Sequence, residues 1–232
     1  MLYSKKMRKH PFINGEFYHI YNRGTEKSII FPGTDDFDRF LKSMEWFNRV
    51  EPIGSIFEYS FTQAAKPKLG GRTTKLAKLV NIVCYCLNPN HFHMILRQNS
   101  ENGVSEFMKR LGGYTRYINI KYKRNGVLFQ GKFKSKHINS NNYLLHLSAY
   151  VNLNNLVHKL KNREYRSSWE EYIRGEKGIC SKYIILEQFK STSEYKEFAG
   201  GALQNILEKK EMDKELESIL LDLPLGCPTT KW

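Results

Sequence analysis

The sequence predicts an α+β domain, an antiparallel sheet with helices packed mainly on one face, followed by a helical C-terminal extension. Three observations predict it. Extended and helical patterns follow one another as strand, helix, strand, strand, helix, strand, helix. The two middle strands are parted only by Asn88-Pro89-Asn90, a turn sequence that suits an antiparallel hairpin. After Arg163 the composition shifts, glutamate returns, and the chain becomes helix-prone. This order suits a ferredoxin-like or RRM-like sheet, although order alone leaves other α+β topologies open.

Residues 15–23 (GEFYHIYNR) alternate and are rich in aromatic and β-branched types, which predicts the first strand. Asp35 or Asp36 can cap the helix that follows, where Phe37, Phe40, Leu41, Met44 and Phe47 form a core-facing stripe. Residues 52–78 break the pattern. Their hydrophobes at Ile56, Phe57, Tyr59 and Phe61 suggest part of a strand, and Gly70-Gly71 with the surrounding lysines suggests a basic loop. Residues 79–87 (LVNIVCYCL) read as a buried strand and 91–97 (HFHMILR) as its hairpin partner.

Residues 105–124 predict a helix with Phe107, Leu111, Tyr114, Ile118 and Tyr122 along one side, and Gly112-Gly113 allowing close packing or a bend. Residues 126–138 look extended, with Gly131 inside them. Ser140 or Asn141 then caps a helix running to about residue 155. The segment 195–222 reads as an amphipathic helix. A domain over 10–163 with an insertion near 52–78 is therefore expected, with a mostly helical extension over 164–232.

The chain has 232 residues, 41% hydrophobic and 26% charged, which is the balance of a globular protein with a sizeable core. No stretch reaches the apolar length of a membrane span, and the basic segment 1–9 lacks the apolar core of a secretory signal. A cytoplasmic location and no membrane partner are expected. Cys84 and Cys86 share a strand face without zinc-ligand spacing, so they read as small buried hydrophobes. With Cys180 and Cys227 they imply no disulfide framework.

A formal net charge of +14 favours a polyanionic partner, nucleic acid or anionic lipid. Its distribution favours nucleic acid. Between Glu106 and Glu164 there is no Asp or Glu, while Lys109, Arg110, Arg116, Lys121, Lys123, Arg124, Lys132, Lys134 and Lys136 fall there, followed by Lys159, Lys161 and Arg163. Tyr114, Tyr117, Tyr122, Phe129 and Phe133 are interleaved and could stack on unpaired bases. The plainer reading is a solvated basic face over aromatic core residues.

His91-Phe92-His93 stands at the start of a strand, so both imidazoles project from one face while Phe92 enters the other. Two adjacent imidazoles can chelate a divalent cation, although a lone His-x-His also occurs as surface or hydrogen-bonded histidines. Tyr150 and Asn154 lie four residues apart on one helical face. A phenol and an amide oxygen beside a two-histidine metal make a workable phosphoryl-transfer site. The phenol, with an unperturbed pKa of about 10, then needs activation. Tyr114, Tyr117 and Tyr143 have an equal local claim, so the residues alone do not select Tyr150.

The run Tyr85-Cys86-Leu87-Asn88-Pro89-Asn90-His91-Phe92-His93-Met94-Ile95-Leu96 resembles the strand-turn-strand signature of the IS200-like, single-tyrosine transposases, most nearly their REP-associated branch. Similarity recurs at 17–24, 117–122, 126–135 and 143–156, in the family's order. The resemblance implies that His91 and His93 bind Mg²⁺ or Mn²⁺, that Asn154 is a third ligand, and that Tyr150 is the nucleophile. It also implies a 5′-phosphotyrosyl intermediate, a released 3′-hydroxyl able to reverse the reaction, and single-stranded DNA beside hairpins as substrate. Such chemistry would serve DNA transposition or act at repetitive hairpin elements. Imidazole ligands favour Mn²⁺, or Mg²⁺ assisted by phosphate.

Three departures stand out: Asn154-Asn155 where the family commonly has Asn-Pro, the basic 52–78 segment, and the tail after about residue 163. Arg23 joins the nine bases from Lys109 to Lys136 as an expected DNA contact, and His19 is expected to be structural. Lys136 and His137 fit phosphate binding or mere solubility equally. A homodimer, with histidines and tyrosine from different chains, is compatible with the sequence. The alternatives are a non-catalytic hairpin-binding protein, a metal-independent RNA-binding domain, and a replication-initiator or relaxase-like nickase.

Overall fold

A computed structural model of the chain describes residues 11–65, 77–158, 160 and 164–222. Strand β1 (Phe17–Arg23) leads through a short 3₁₀ turn to helix α1 (Thr34–Trp46). Helix α2 (Ile56–Ala65), the hairpin β2 (Val80–Asn88) and β3 (His91–Gln98), and helices α3 (Gly103–Leu111) and α4 (Tyr114–Lys121) follow. Strand β4 (Lys134–Ile138), helix α5 (Asn141–Asn152) and the single turn α6 (Asn154–Val157) complete the part that carries the motifs. Beyond it lie β5 (Arg166–Ser167), α7 (Trp169–Ile173), α8 (Tyr183–Leu186) and the long helix α9 (Thr192–Asp222).

The sheet runs β4-β1-β3-β2-β5, and every pairing is antiparallel. The fold is α+β, and its first four strands take the order that a βαββαβ chain adopts when β2 and β3 form the central hairpin. The two-residue turn Pro89-Asn90 is held by its neighbours. Pro89 O accepts the N–H groups of Ile30 and Phe31, and Asn90 O accepts that of Gly24.

Strand alternation separates two cores. One contains Ile20, Phe92, Met94 and Leu96 of the sheet with Phe37, Phe40 and Met44 of α1 and Phe107 and Leu111 of α3. The other contains Cys84, Cys86 and Ile95 with Leu147 and Val151 of α5, Tyr172 of α7 and Tyr195 and Ala199 of α9. The helices therefore cover both faces, α1, α3 and α4 on one and α5 with the C-terminal helices on the other. This corrects the expectation of helices mainly on one face. After β4 the chain crosses to the opposite face, and a strand with both faces apolar, as in LVNIVCYCL, requires a cover on each.

Local chemistry explains the other differences. Residues 56–61 are helical because Ser55 and Glu58 cap reciprocally. Ser55 Oγ accepts the Glu58 N–H (3.1 Å), and Glu58 Oε2 accepts the Ser55 N–H (3.3 Å). That S-x-x-E signal overrides the strand-like hydrophobes; Lys66, Lys68, Gly70-Gly71, Arg72 and Lys75 lie outside the described residues. The helix expected over 105–124 is two helices that divide at Gly112-Gly113. Of residues 126–138 only Lys134–Ile138 is strand, with one isolated bridge from Phe129 to Gly24. Ser140 caps α5 as expected, accepting the Tyr143 N–H. Cys84 and Cys86 are fully buried, whereas Cys227 and the bases at 159, 161 and 163 lie outside the described residues. Among the described residues, no helix is long and apolar enough to cross a membrane.

Candidate functional site

Registration of the hairpin builds the site. Asn88 pairs with His91 and Cys86 with His93 across β2 and β3, while Tyr21 and Arg23 of β1 pair with His93 and His91 on the other side. Alternation points His91, His93, Tyr21 and Arg23 to the α5 face, and Phe92 enters the opposite core. There Tyr21, Arg23, Lys27, His91, His93, Gln130, Lys134, Tyr150 and His158 line a cleft of about 620 Å³, whose lining contains no acidic residue.

The imidazoles are fixed by their neighbours. Asn90 Nδ2 donates to Lys27 O (3.3 Å), which leaves Asn90 Oδ1 to accept from His91 Nδ1 (2.6 Å). His91 Nδ1 therefore carries the proton, and Nε2 presents a lone pair. That Nε2 lies 3.0 Å from Asn154 Oδ1, a second acceptor. Asn88 Nδ2 stands before both, 2.9 Å from the nitrogen and 2.7 Å from the oxygen. On β1, His19 Nε2 lies 2.9 Å from His93 Nδ1, so a proton on His93 Nδ1 frees Nε2 for the cleft.

Burial keeps these rings neutral. It lowers His19 to about 4, with help from Lys136. His93 falls well below its ordinary value through burial and then the neighbouring histidines. His91 is lowered by burial, against the opposing effect of Asn154 Oδ1, which would accept a hydrogen bond from the protonated ring. Neutral imidazoles are the form that binds metal.

Tyr150 reaches the same cleft from α5. Its ring meets that of His93 edge-on at 5.6 Å, and Tyr21 stacks on the same His93 imidazole at 5.6 Å, 18° from parallel. Burial raises the Tyr150 phenol above its ordinary pKa, while the Asn154 amide works against that rise. Asn154 itself is fully buried, and its Nδ2 has no hydrogen-bond partner. That amide nitrogen favours the ionised form of the Tyr150 phenol, while Oδ1 is held toward His91. His91 Nε2 and Asn154 Oδ1 thus face each other with the His93 ring 5.3 Å from that of His91, a mixed nitrogen and oxygen donor set that fits a divalent ion. Among the described residues, no three His, Cys, Asp or Glu side chains could hold a metal.

The structure brings together His91, His93, Asn154, Tyr150, Arg23 and Lys134. Lys136, exposed on β4, lies over the Tyr143 ring, and His137 on the opposite face pairs with Glu16. Arg116, Lys123 and Arg124 line a separate open groove along α4, and Lys132 lines a small cavity beside the cleft. Two bases are engaged by the fold instead. Arg110 binds Glu106 and the carbonyls of Phe47, Arg49 and Val50, while Lys121 binds the fully buried Asp36 at 2.7 Å. Lys109 is exposed and pairs loosely with Glu106.

Sequence reasoning passed over Asn88 and His158, and expected His19 to be structural only. Asn88 faces His91 across the turn, His19 contacts His93, and His158 packs edge-on to His91 at 4.6 Å. His158 had a readable signal, since it lies four residues beyond Asn154 and eight beyond Tyr150.

No curated protein matches the chain. A solved structure of a REP-associated tyrosine transposase bound to a REP hairpin is 14% identical, covers 75% of this chain and 88% of its own, and superposes with a TM-score of 0.45. Residues 70–155, which include His91, His93, Tyr150 and Asn154, match the family model described as transposase IS200 like.

Proposed function

We propose that the chain nicks and rejoins single-stranded DNA beside hairpins, with Tyr150 Oη as the nucleophile. The observation that carries this reading is the Tyr150 ring lying 5.6 Å from that of His93, in the cleft that His91 and Asn154 enter from the same chain. His91, His93 and Asn154 would hold Mg²⁺ or Mn²⁺, which when bound polarises the scissile phosphate.

Tyr150 Oη attacks phosphorus and gives up its proton, the bond to the 3′ oxygen breaks, and that oxygen takes a proton. A 5′-phosphotyrosyl bond and a free 3′-hydroxyl result, and reversal rejoins strands without another energy source. Arg23, Lys27 and Lys134 hold the phosphodiester backbone at the cleft, in surroundings without competing carboxylates. Arg116, Lys123 and Arg124 extend the basic surface along α4, and Lys109, Lys132 and Lys136 contribute from exposed positions. This reading assigns the chemistry to residues 10–163 of a cytoplasmic enzyme of the REP-associated branch, with 164–232 as an extension. Because the cleft is assembled within one chain, it requires no exchange of helices in a dimer.

The test is covalent trapping. Labelled single-stranded hairpins with flanks from around the gene are incubated with Mn²⁺, Mg²⁺ or EDTA and resolved on a denaturing gel. A metal-dependent protein–DNA band, lost in Tyr150→Phe with hairpin binding kept, is the expected result. Salt-sensitive binding without any such band identifies a non-catalytic hairpin-binding protein instead.

A further inference from the structure

We infer that a small aromatic cavity beside the cleft takes one unpaired nucleobase of the bound strand, an inference that rests on the single-strand reading above. The cavity has a volume of about 180 Å³ and lies on the sheet face opposite His91 and His93. Phe40 and Phe92, both fully buried, form its floor; Phe129 and Phe133, half-buried, flank it; and exposed Lys132 stands at its rim. That volume is below the roughly 300–1,000 Å³ of sites for larger small molecules. It is several times the share of about 30 Å³ that one water occupies in the liquid. There is room for a ring system and none for a helix. An apolar aromatic lining excludes a phosphate, while any base can stack on it through its π-face.

Asn22 supplies the polar edge. Its Nδ2 donates to Gly131 O (3.2 Å) and its Oδ1 accepts the Arg23 N–H (2.9 Å). An amide carries a second N–H and a second lone pair, so one donor and one acceptor remain for a base. Gly131 holds a φ of +71°, a left-handed conformation that suits glycine and sets its carbonyl against Asn22. Asn22 also lines the catalytic cleft, next in sequence to Arg23. Gln130 lines the cleft and Lys132 the cavity, so the two spaces adjoin along both β1 and the loop before β4. A strand whose phosphate meets Arg23 can therefore turn a neighbouring base into the aromatic site. No acidic residue lines either space.

The experiment scans the DNA and uses the full chain. Hairpins with single-stranded flanks carry 2-aminopurine, or an abasic nucleotide, at one flank position at a time, and binding is read by fluorescence and gel shift. One position is expected to show quenched 2-aminopurine and binding weakened about tenfold when abasic, as loss of one stacked base requires. In Phe133→Leu and Asn22→Ala that positional preference disappears while salt-sensitive binding persists. The wild-type scan stands without either variant. An equal response at every position in the wild-type chain overturns the cavity's role and leaves strand binding intact, whereas no binding to any hairpin or single strand overturns both.

Discussion

His91 Nε2 and Asn154 Oδ1 face each other at 3.0 Å as two acceptors, because His91 has committed its ring proton to Asn90 through Nδ1. Such a pair is held together by a donor or by a cation, and in the structure the amino group of Asn88 stands before both. Removing the oxygen with Asn154→Ala is expected to weaken Mn²⁺ binding at least about tenfold in calorimetry. Asn154→Asp adds a formal charge and should bind more tightly, with a larger rise in melting temperature on adding Mn²⁺ than the wild type shows. Wild-type affinity in both variants would remove Asn154 from the ligand set.

The pH dependence follows from burial. His19 and His158 are lowered to about 4, and His91 and His93 also lie below their ordinary values. Folded values below the unfolded value of about 6.5 mean that the unfolded chain binds more protons between pH 6.5 and 4. Their contribution to stability is therefore complete above pH 6.5, falls as the pH drops toward 4, and levels off below. Two unperturbed imidazoles would each be roughly 90% protonated at pH 5.5, which would weaken metal binding on the order of a hundredfold. Because both rings are lowered, Mn²⁺ affinity is expected to fall by much less than that between pH 7.5 and pH 5.5. A hundredfold fall in a titration at the two pH values would show the rings to be ordinary.

The helix carrying Tyr150 is clamped from the C-terminal side. Ser148 Oγ and Asn152 Nδ2 both meet Tyr195 Oη of α9, at 3.1 and 3.0 Å, and Asn152 Oδ1 accepts from Ser168 Oγ at 2.6 Å. Tyr195→Phe leaves the buried Asn152 N–H unpaired and should cost about 1–3 kcal/mol. In a chain of this size each kcal/mol lowers Tm by about 2–4 °C. Adduct formation should slow more than hairpin binding weakens, because the clamp touches the helix of the proposed nucleophile and none of the bases that line the cleft. Equal losses in both would mean that Tyr195 acts only on the fold.

Much of this arrangement is legible in the sequence. The Asn-Pro-Asn turn sets the hairpin, strand alternation puts both histidines on one face, and Ser140 starts the tyrosine helix. Local patterns carry such information. The helices' division between two faces is not local, since it depends on where the chain crosses after β4. Partners across the sheet are equally hidden, as with His19, which meets His93 from 74 positions away. Charge counting fails for the same reason. The stretch without acids lists Lys121 among its bases, yet the acid that binds it is Asp36, 85 residues earlier.

That pair gives a test separating basic residues that hold DNA from those that hold the fold. Asp36 is fully buried, caps α1 by accepting the Gly33 N–H, and also binds Lys121, Tyr117 and Tyr122. Burial alone would raise its pKa, but the hydrogen bonds from Lys121, Tyr122 and Tyr117 outweigh it and the value is lowered. The stability it confers is present above the unfolded value of about 3.9 and lost as the pH falls below it. Asp36→Asn and Lys121→Ala should therefore lower Tm, while the slope of log K against log salt for hairpin binding stays unchanged. Arg23→Ala and Lys134→Ala should do the reverse, each reducing the slope by about 0.7 for a single-strand phosphate with little change in Tm. Arg110, tied to three backbone carbonyls and Glu106, belongs with Lys121 in this test. A reduced slope in Lys121→Ala at unchanged Tm would return that lysine to the DNA surface.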